Sequence, residues 1–499
     1  MGQLKQTNTS VWAATTPDVP FPSLDHDIQA DVAVVGAGIT GLTTAYLLQK
    51  SGVDVVVLES DQVGSGVTGY TTAKITSLHA LTYAKLERTV GETKTRLYGA
   101  ANQAALEKID SIVQELSIDC EFERQACFTY AESSEHLREI EAEVEVASRV
   151  GLPAEFVSQI DLPFQIAGAI RFNDQAMFHP RKYLLGIASY LAEQGALIFE
   201  NTRALTITGS NPATVVTAGG NVIANHVVMA THFPFFDKGL YFARAFARRS
   251  YALAMTLKND APQGMYISVD EPTRSYRPCT TVSSAGAVIG GQGHKPGQES
   301  DTPSHYEALE SWAKERFDAQ SIDYRWSAQD YITSDGVPFV GRSHLWSKGI
   351  WLATGFKKWG ITNGTAAAMV IHDLISGKDN PWASLYDPTR AEPLRHPTLA
   401  LKENLNAGVE MVKGHLAGGS NDVDTLPIGE GAVIKIDGKK TAAYRHEDGT
   451  LSTVSAKCTH LGCIVSFNKA EKSWDCPCHG SRFDVEGKVI NGPAVRDLE

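Results

Sequence analysis

The stretch that decides the fold runs from Asp31 to Ser60, DVAVVGAGITGLTTAYLLQKSGVDVVVLES. Two Val-rich apolar runs flank a glycine turn and a helical segment, the pattern of parallel strands buried on both faces and joined by a crossover helix. Gly36, Gly38 and Gly41 form G-x-G-x-x-G between the first strand and the helix. The first glycine makes the tight turn, the second lets the backbone approach a pyrophosphate, and the third lets helix and strand pack closely. Phosphates then rest on the helix N-terminus, beside Ile39 and Thr40. Glu59, followed by Ser60, ends the second strand 18 residues beyond Gly41, where a carboxylate accepts from a ribose hydroxyl. The combination predicts a dinucleotide site.

Working outward, helical stretches are expected around Tyr98 to Leu116 and from Glu135 to Arg149, the second densely charged and read as a solvated surface helix. HPRKYLLGIASYLAEQGALIFENTRALTI, from His179 to Ile207, reads helix then strand, and NVIANHVVMATH adds another strand. The segments RSYALAMTL, AGAVIGG and YRWSAQDYI alternate or run β-branched, which predicts an inserted antiparallel sheet forming an α+β substrate domain. From Gly349 the pattern returns to strand, glycine turn and helix. The expected division is an N-terminal extension (1–30), an α/β Rossmann-type oxidoreductase (31–387) with nucleotide-binding parts near 31–80, 180–235 and 330–387, a helical connector (388–420) ending in the flexible GGSND, and a small all-β module (421–499).

A chain of 499 residues is too long for one core, and two or three are expected. The net charge of -12 argues against a nucleic-acid or anionic-membrane surface, which would need a basic patch. No stretch approaches the ~18 apolar residues of a membrane span. The N-terminal residues lack an apolar h-region, a twin arginine and an Arg-rich amphipathic pattern, so the expected location is the cytoplasm. Of seven cysteines, Cys120, Cys127 and Cys279 are scattered and read as buried core thiols.

FAD and NAD share the glycine fingerprint, so the choice between them comes from a second glycine turn, Thr354, Gly355 and Phe356 onward to Gly360, Ile361 and Thr362. A helix starting there presents N–H groups and partial positive charge, which suits the pyrimidine end of a reduced flavin. The alternative is an ordinary strand-to-helix turn closing the sheet. GAGITG, Glu59, the strand end Met229 to Thr231, SDGVPFVG and the ATGF turn together resemble the D-amino-acid-oxidase-like (DAO) superfamily of FAD-dependent oxidoreductases, over about Asp31 to Asp387. The resemblance implies oxidation of amines or amino acids, Ala230 and Thr231 near the adenosine half, and Gly355 to Thr362 over the flavin's pyrimidine edge.

One loop departs from the better-known amine oxidases: GSGVTGYTTAKIT, Gly64 to Thr76, is similar to the subgroup fused to Rieske domains. It places Thr71, Thr72 and Lys74 near flavin or pyrophosphate, with a solvated loop lysine as the alternative for Lys74. His79 follows this loop, but nothing in its spacing supports covalent flavin attachment. Lys357 and Lys358 are ambiguous, one expected toward the flavin and the other at the surface. Lys74, Tyr251 and Arg277 are the candidate catalytic residues; Arg249, Tyr251, Tyr276 and Arg277 share the inserted sheet, where an Arg could grip a carboxylate and a Tyr line the flavin face, and each could equally be a packing or ion-pair residue.

Near the C-terminal end, Cys458-Thr-His460-Leu-Gly-Cys463 is followed by Cys476-Pro-Cys478-His479-Gly-Ser481. This double box resembles a Rieske domain. The resemblance implies that Cys458 and Cys476 bind one iron of a [2Fe-2S] cluster while His460 and His479 bind the other, giving a potential of about -150 to +300 mV. Zinc also accepts Cys2His2, although the usual finger spacing differs. Cys463 and Cys478 look like the disulfide that braces the two cluster loops in respiratory-type Rieske proteins, the alternative being two reduced thiols. By the same resemblance Ser481 bonds a bridging sulfide, Phe483 replaces the tyrosine of high-potential members, and Gly492 and Pro493 belong to a proline loop over the cluster.

Flavin handles two electrons and a [2Fe-2S] centre one at a time, so the fusion reads as a converter. It would oxidise a C–N bond of a small amine or amino-acid-like substrate and pass electrons to a one-electron redox protein or quinone-like acceptor. Two other readings stay open: a flavin reductase or monooxygenase fed through the Rieske centre, and a non-enzymatic electron-transfer module. GGQGHKPG near Gly290 is read as having no following helix, so no second nucleotide fingerprint for NADPH is expected.

Overall fold

The computed structural model describes residues 6–390, 397–416 and 423–499. The elements that build the sites are β1 (Ile28–Val35), α1 (Ile39–Lys50), β2 (Val55–Leu58), β3 (Asn221–Met229), β4 (Ala245–Leu257), β5 (Ala319–Thr333), β6 (Ile350–Thr354), α2 (Gly360–Ile375) and α3 (Pro397–Leu416). The sheet order Phe339–Arg342, β6, β3, β1, β2, Leu197–Phe199 is parallel except at the Phe339–Arg342 edge. Val32, Val34, Val56 and Val57 are buried in it, as both-sided strands require, each worth roughly 1.5–3 kcal/mol. α1 and α2 lie against each other on one face, so both helices start at the same end of the sheet.

The inserted sheet has ten strands and is largely antiparallel, with β4 paired between β5 and Gly286–His294. Two pairings in it are parallel, Gln6–Thr7 with β5 and Met265–Ser268 with Glu123–Ala131. The segment around Trp12 is tied down: Trp12 is fully buried and donates from Nε1 to the Thr71 carbonyl at 2.7 Å.

Two small antiparallel sheets of three and four strands form the C-terminal module. α3 carries the expected connector; GGSND lies outside the described residues. The expected surface helix forms at Leu137–Arg149, but Glu143 on it is fully buried. Its carboxylate accepts from Tyr83 N at 2.7 Å and Ala84 N at 2.8 Å, capping the helix that begins at Tyr83, and burial pushes it up to about 7. Cys120, Cys127 and Cys279 are buried and unbridged.

Candidate flavin and iron-sulfur sites

Backbone crowding explains each fingerprint glycine. Gly36 has φ +106°, and a Cβ there would sit 2.5 Å from the Ala230 carbonyl oxygen. A Cβ on Gly41 would lie 1.8 Å from the Gly36 carbonyl oxygen, whereas one on Gly38 would meet only Thr68 Oγ1 at 3.1 Å. Gly41 therefore sets how closely α1 approaches β1, and Gly38 keeps the turn open toward the cavity. No side chain from the residue before the helix caps α1. Thr68 Oγ1 accepts from Ile39 N at 3.2 Å, leaving the rest of the first turn's N–H groups to face an anion.

A cavity of about 370 Å³ opens there. Its wall includes Gly36, Gly38, Ile39, Thr40, Glu59, Ser60, Thr71, Thr72, Lys74, Ala230, Thr231, Tyr251, Phe356, Gly360 and Ile361. α2 begins at this wall with no side-chain cap and no acid in its first turn, so a second helix N-terminus faces the same space. Gly41, Gly355 and Thr362 lie behind the lining: Gly355 makes the turn at φ +81° under Thr333, and Thr362 Oγ1 donates to the Thr76 carbonyl at 3.0 Å. Glu59 is held by N–H donors from Ala37 at 2.8 Å and Asp61 at 3.0 Å.

Lys74 reaches the cavity with Thr72 Oγ1 at 3.3 Å, and burial draws its ammonium down to about 7. Tyr251 donates or accepts at His294 Nε2, 2.9 Å away, with its ring stacked on His305. Arg277 is turned away from the cavity. It donates to the carbonyls of Ala73 and Phe178 and covers the Trp12 ring at 4.9 Å, which ties the inserted sheet to the N-terminal residues. Tyr276 likewise packs on Phe317. His79 has both ring nitrogens engaged, Nδ1 with Tyr98 at 2.7 Å and Nε2 with Thr76 at 2.8 Å, and it stacks on Trp359 outside the lining. Lys358 lines the cavity; Lys357 points to Thr82, so neither is an ordinary surface lysine.

In the C-terminal module, Cys463 and Cys478 form a disulfide across a separation of 15 residues, a loop closure worth roughly 3 kcal/mol in the chain-entropy picture. The sulfurs of Cys463, Cys476 and Cys478 crowd within 4.8 Å, but the disulfide consumes two of them. What remains is two buried free thiols, Cys458 and Cys476, and two imidazoles whose rings lie 5.1 Å apart. Nδ1 of His460 and Nδ1 of His479 are buried with no hydrogen-bond partner. Burial draws both histidines down to about 4, so each is neutral and keeps a lone pair for metal. Two thiols and two orphaned Nδ1 atoms fit a Rieske cluster, and these four residues would hold it. Ser481 Oγ accepts from Ala494 N at 3.0 Å, which fastens the covering loop. Phe483 is fully buried and brings no hydroxyl.

The two sites share a wall. Ile490 to Val495 line the flavin cavity together with Gln329, Asp330, Tyr331 and His232. Arg249 is 1% exposed and pairs with Glu471 at 2.9 Å; Tyr306 Oη donates to the same carboxylate at 2.7 Å. Thus Arg249 secures the two modules to each other instead of facing a substrate. His232 Nε2 meets Asp330 at 3.0 Å. No local sequence signal marks Gln329, Asp330, Tyr331 or His232, because their partners come from elsewhere in the chain.

Residues 31–374 match the family model of FAD dependent oxidoreductases (DAO), and residues 420–499 match that of the Rieske [2Fe-2S] domain. A Rieske 2Fe-2S iron-sulfur protein, YhfW, of Bacillus subtilis (strain 168) is 37% identical over 99% of this chain and 98% of its own. Gamma-glutamylputrescine oxidoreductase of Escherichia coli (strain K12) is 24% identical over 75% of this chain and 90% of its own. Glycine oxidase from Geobacillus kaustophilus shares the fold, with a TM-score of 0.62 at 18% identity over 72% of this chain and 99% of that one. No helix among the described residues is long and apolar enough to cross a membrane. With a glycine cradle for FAD at one end of the shared wall and a Cys2His2 pocket at the other, the chain belongs to the DAO family of FAD-dependent oxidoreductases and carries a Rieske [2Fe-2S] domain at its C-terminal end.

Proposed function

We propose that the protein oxidises a C–N bond of an amine or amino acid and passes the electrons through its Rieske domain to a one-electron acceptor. When bound, FAD takes up an electron pair with hydride, and the [2Fe-2S] cluster relays electrons singly. The observation that carries this reading is the shared wall: Ile490 to Val495 of the Rieske domain line the same cavity as Gly36, Thr40 and Lys74. The C–N preference is supported by relatives named for gamma-glutamylputrescine and glycine.

In this reading Gly36, Gly38 and the α1 N-terminus hold the pyrophosphate, Glu59 the ribose, and the α2 N-terminus the flavin's pyrimidine edge. Lys74 and Tyr251 flank the substrate space. A neutral Lys74 accepts a proton from a substrate ammonium, which must lose it before hydride leaves carbon. Cys458, His460, Cys476 and His479 hold the cluster. Anaerobic addition of a panel of amines and amino acids tests the reading. Flavin bleaching followed by appearance of the reduced-cluster EPR signal is expected. Bleaching with no cluster signal, or reduction only by a carrier protein, overturns it.

A further inference from the structure

We propose that Tyr331 is the positioning residue that fixes the cluster loops against the flavin cavity, so that one phenolic hydroxyl governs coupling between the two centres; this rests on the converter reading above. Tyr331 sits on β5, paired with Ala247 of β4, and is 1% exposed. Tyr331 is among the residues that line the flavin cavity, and its ring is held by Phe233 and His232 at 4.5 and 4.9 Å between ring centroids. Its Oη lies 3.2 Å from the His479 carbonyl oxygen and 3.2 Å from that of Gly492. The first carbonyl belongs to a candidate iron ligand and the second to the loop over the cluster.

Gln329, two residues back on the same strand face, completes the arrangement. Its Nε2 donates to Tyr331 Oη at 3.3 Å and to the Gly480 carbonyl at 2.7 Å. The amide thus occupies an oxygen lone pair and leaves the phenolic proton to the two carbonyls. A single residue therefore belongs to both sites: it lines the cavity, and its hydroxyl meets the cluster loops. Phe483 supplies no hydroxyl inside the Rieske domain, whereas a phenol from the oxidoreductase domain reaches the cluster loops.

Each transfer moves one electron from reduced flavin to oxidised cluster. Two transfers, with two protons released to solvent and the cluster reoxidised each time by ferricyanide, return the flavin to its oxidised form. The test uses the full-length holoprotein and Tyr331→Phe, with flavin and iron contents measured first. After flash photoreduction of the flavin, Tyr331→Phe should pass electrons to the cluster about fivefold more slowly, the equivalent of one lost buried hydrogen bond. Its cluster midpoint, read by EPR-monitored titration, should shift downward, because a partial positive charge near the ligands favours the reduced form. Gln329→Leu should move both readouts the same way, and it carries the test should Tyr331→Phe fail to load its cofactors. Wild-type rate and wild-type midpoint in a loaded variant overturn the proposal. Absence of transfer in the wild type instead overturns the converter reading, and the midpoint alone then decides the role of Tyr331.

Discussion

The flavin cavity and the cluster pocket are built in opposite ways. The cavity draws its wall from Val35 through Ile361 and then from Ile490 to Val495, whereas the four candidate cluster ligands fall between Cys458 and His479. The first depends on backbones approaching closely at crowded glycines. The second depends on ligand chemistry at the tips of two braced loops. Damage to the cavity should therefore show as lost packing and lost flavin, and damage to the pocket as lost metal with the rest intact.

The most drastic test of that contrast is Cys476→Ser, expected to abolish the Rieske EPR signal while the flavin absorbance survives. Simultaneous loss of flavin would mean the two sites are not separable, and the contrast would break. Next comes Gly41→Ala against Gly38→Ala. The first forces a Cβ to within 1.8 Å of a carbonyl oxygen and the second only to 3.1 Å of a hydroxyl. Denaturant melts should report about 3 kcal/mol lost for Gly41→Ala and under about 1 kcal/mol for Gly38→Ala.

Glu59→Ala sharpens the flavin side alone. Loss of a charge-assisted hydrogen bond, about 1.5–3 kcal/mol, should weaken FAD retention roughly 10–100-fold, with the cluster spectrum unchanged; equilibrium dialysis reads the difference. Lys74 is drawn down to about 7 by burial, so it is charged below that pH and neutral above it. The rate of flavin reduction by substrate should rise through an inflection near 7, and Lys74→Met should flatten the profile in stopped-flow. The smallest change is Phe483→Tyr, where a hydroxyl placed near the cluster sulfurs should raise the midpoint potential. Protein-film voltammetry showing no upward shift would place Phe483 away from the sulfurs.

Legibility in the sequence followed the same division. The glycine fingerprint and the Cys/His boxes are short patterns whose geometry is fixed within a few residues, so both could be read directly. Residues whose meaning depends on distant partners could not. Arg249 and Arg277 looked alike on one inserted sheet, yet one pairs with Glu471 and the other bonds the carbonyls of Ala73 and Phe178. Glu143 sat in a helix rich in charge, and only the packing of that helix against Tyr83 and Ala84 shows why one of its acids is buried. Tyr331 gave no signal at all, because its partners lie 148 and 161 residues further on.

The Arg249–Glu471 pair also imposes an order on biosynthesis. Once Arg249 has left the ribosome, 222 residues separate it from its acid, a wait of ~10–40 s at typical elongation rates of roughly 5–20 residues per second. A guanidinium buried without its partner costs about 3–5 kcal/mol. The middle of β4 therefore gains its buried counter-charge only after the C-terminal module has been made, whether or not that module has yet received its iron.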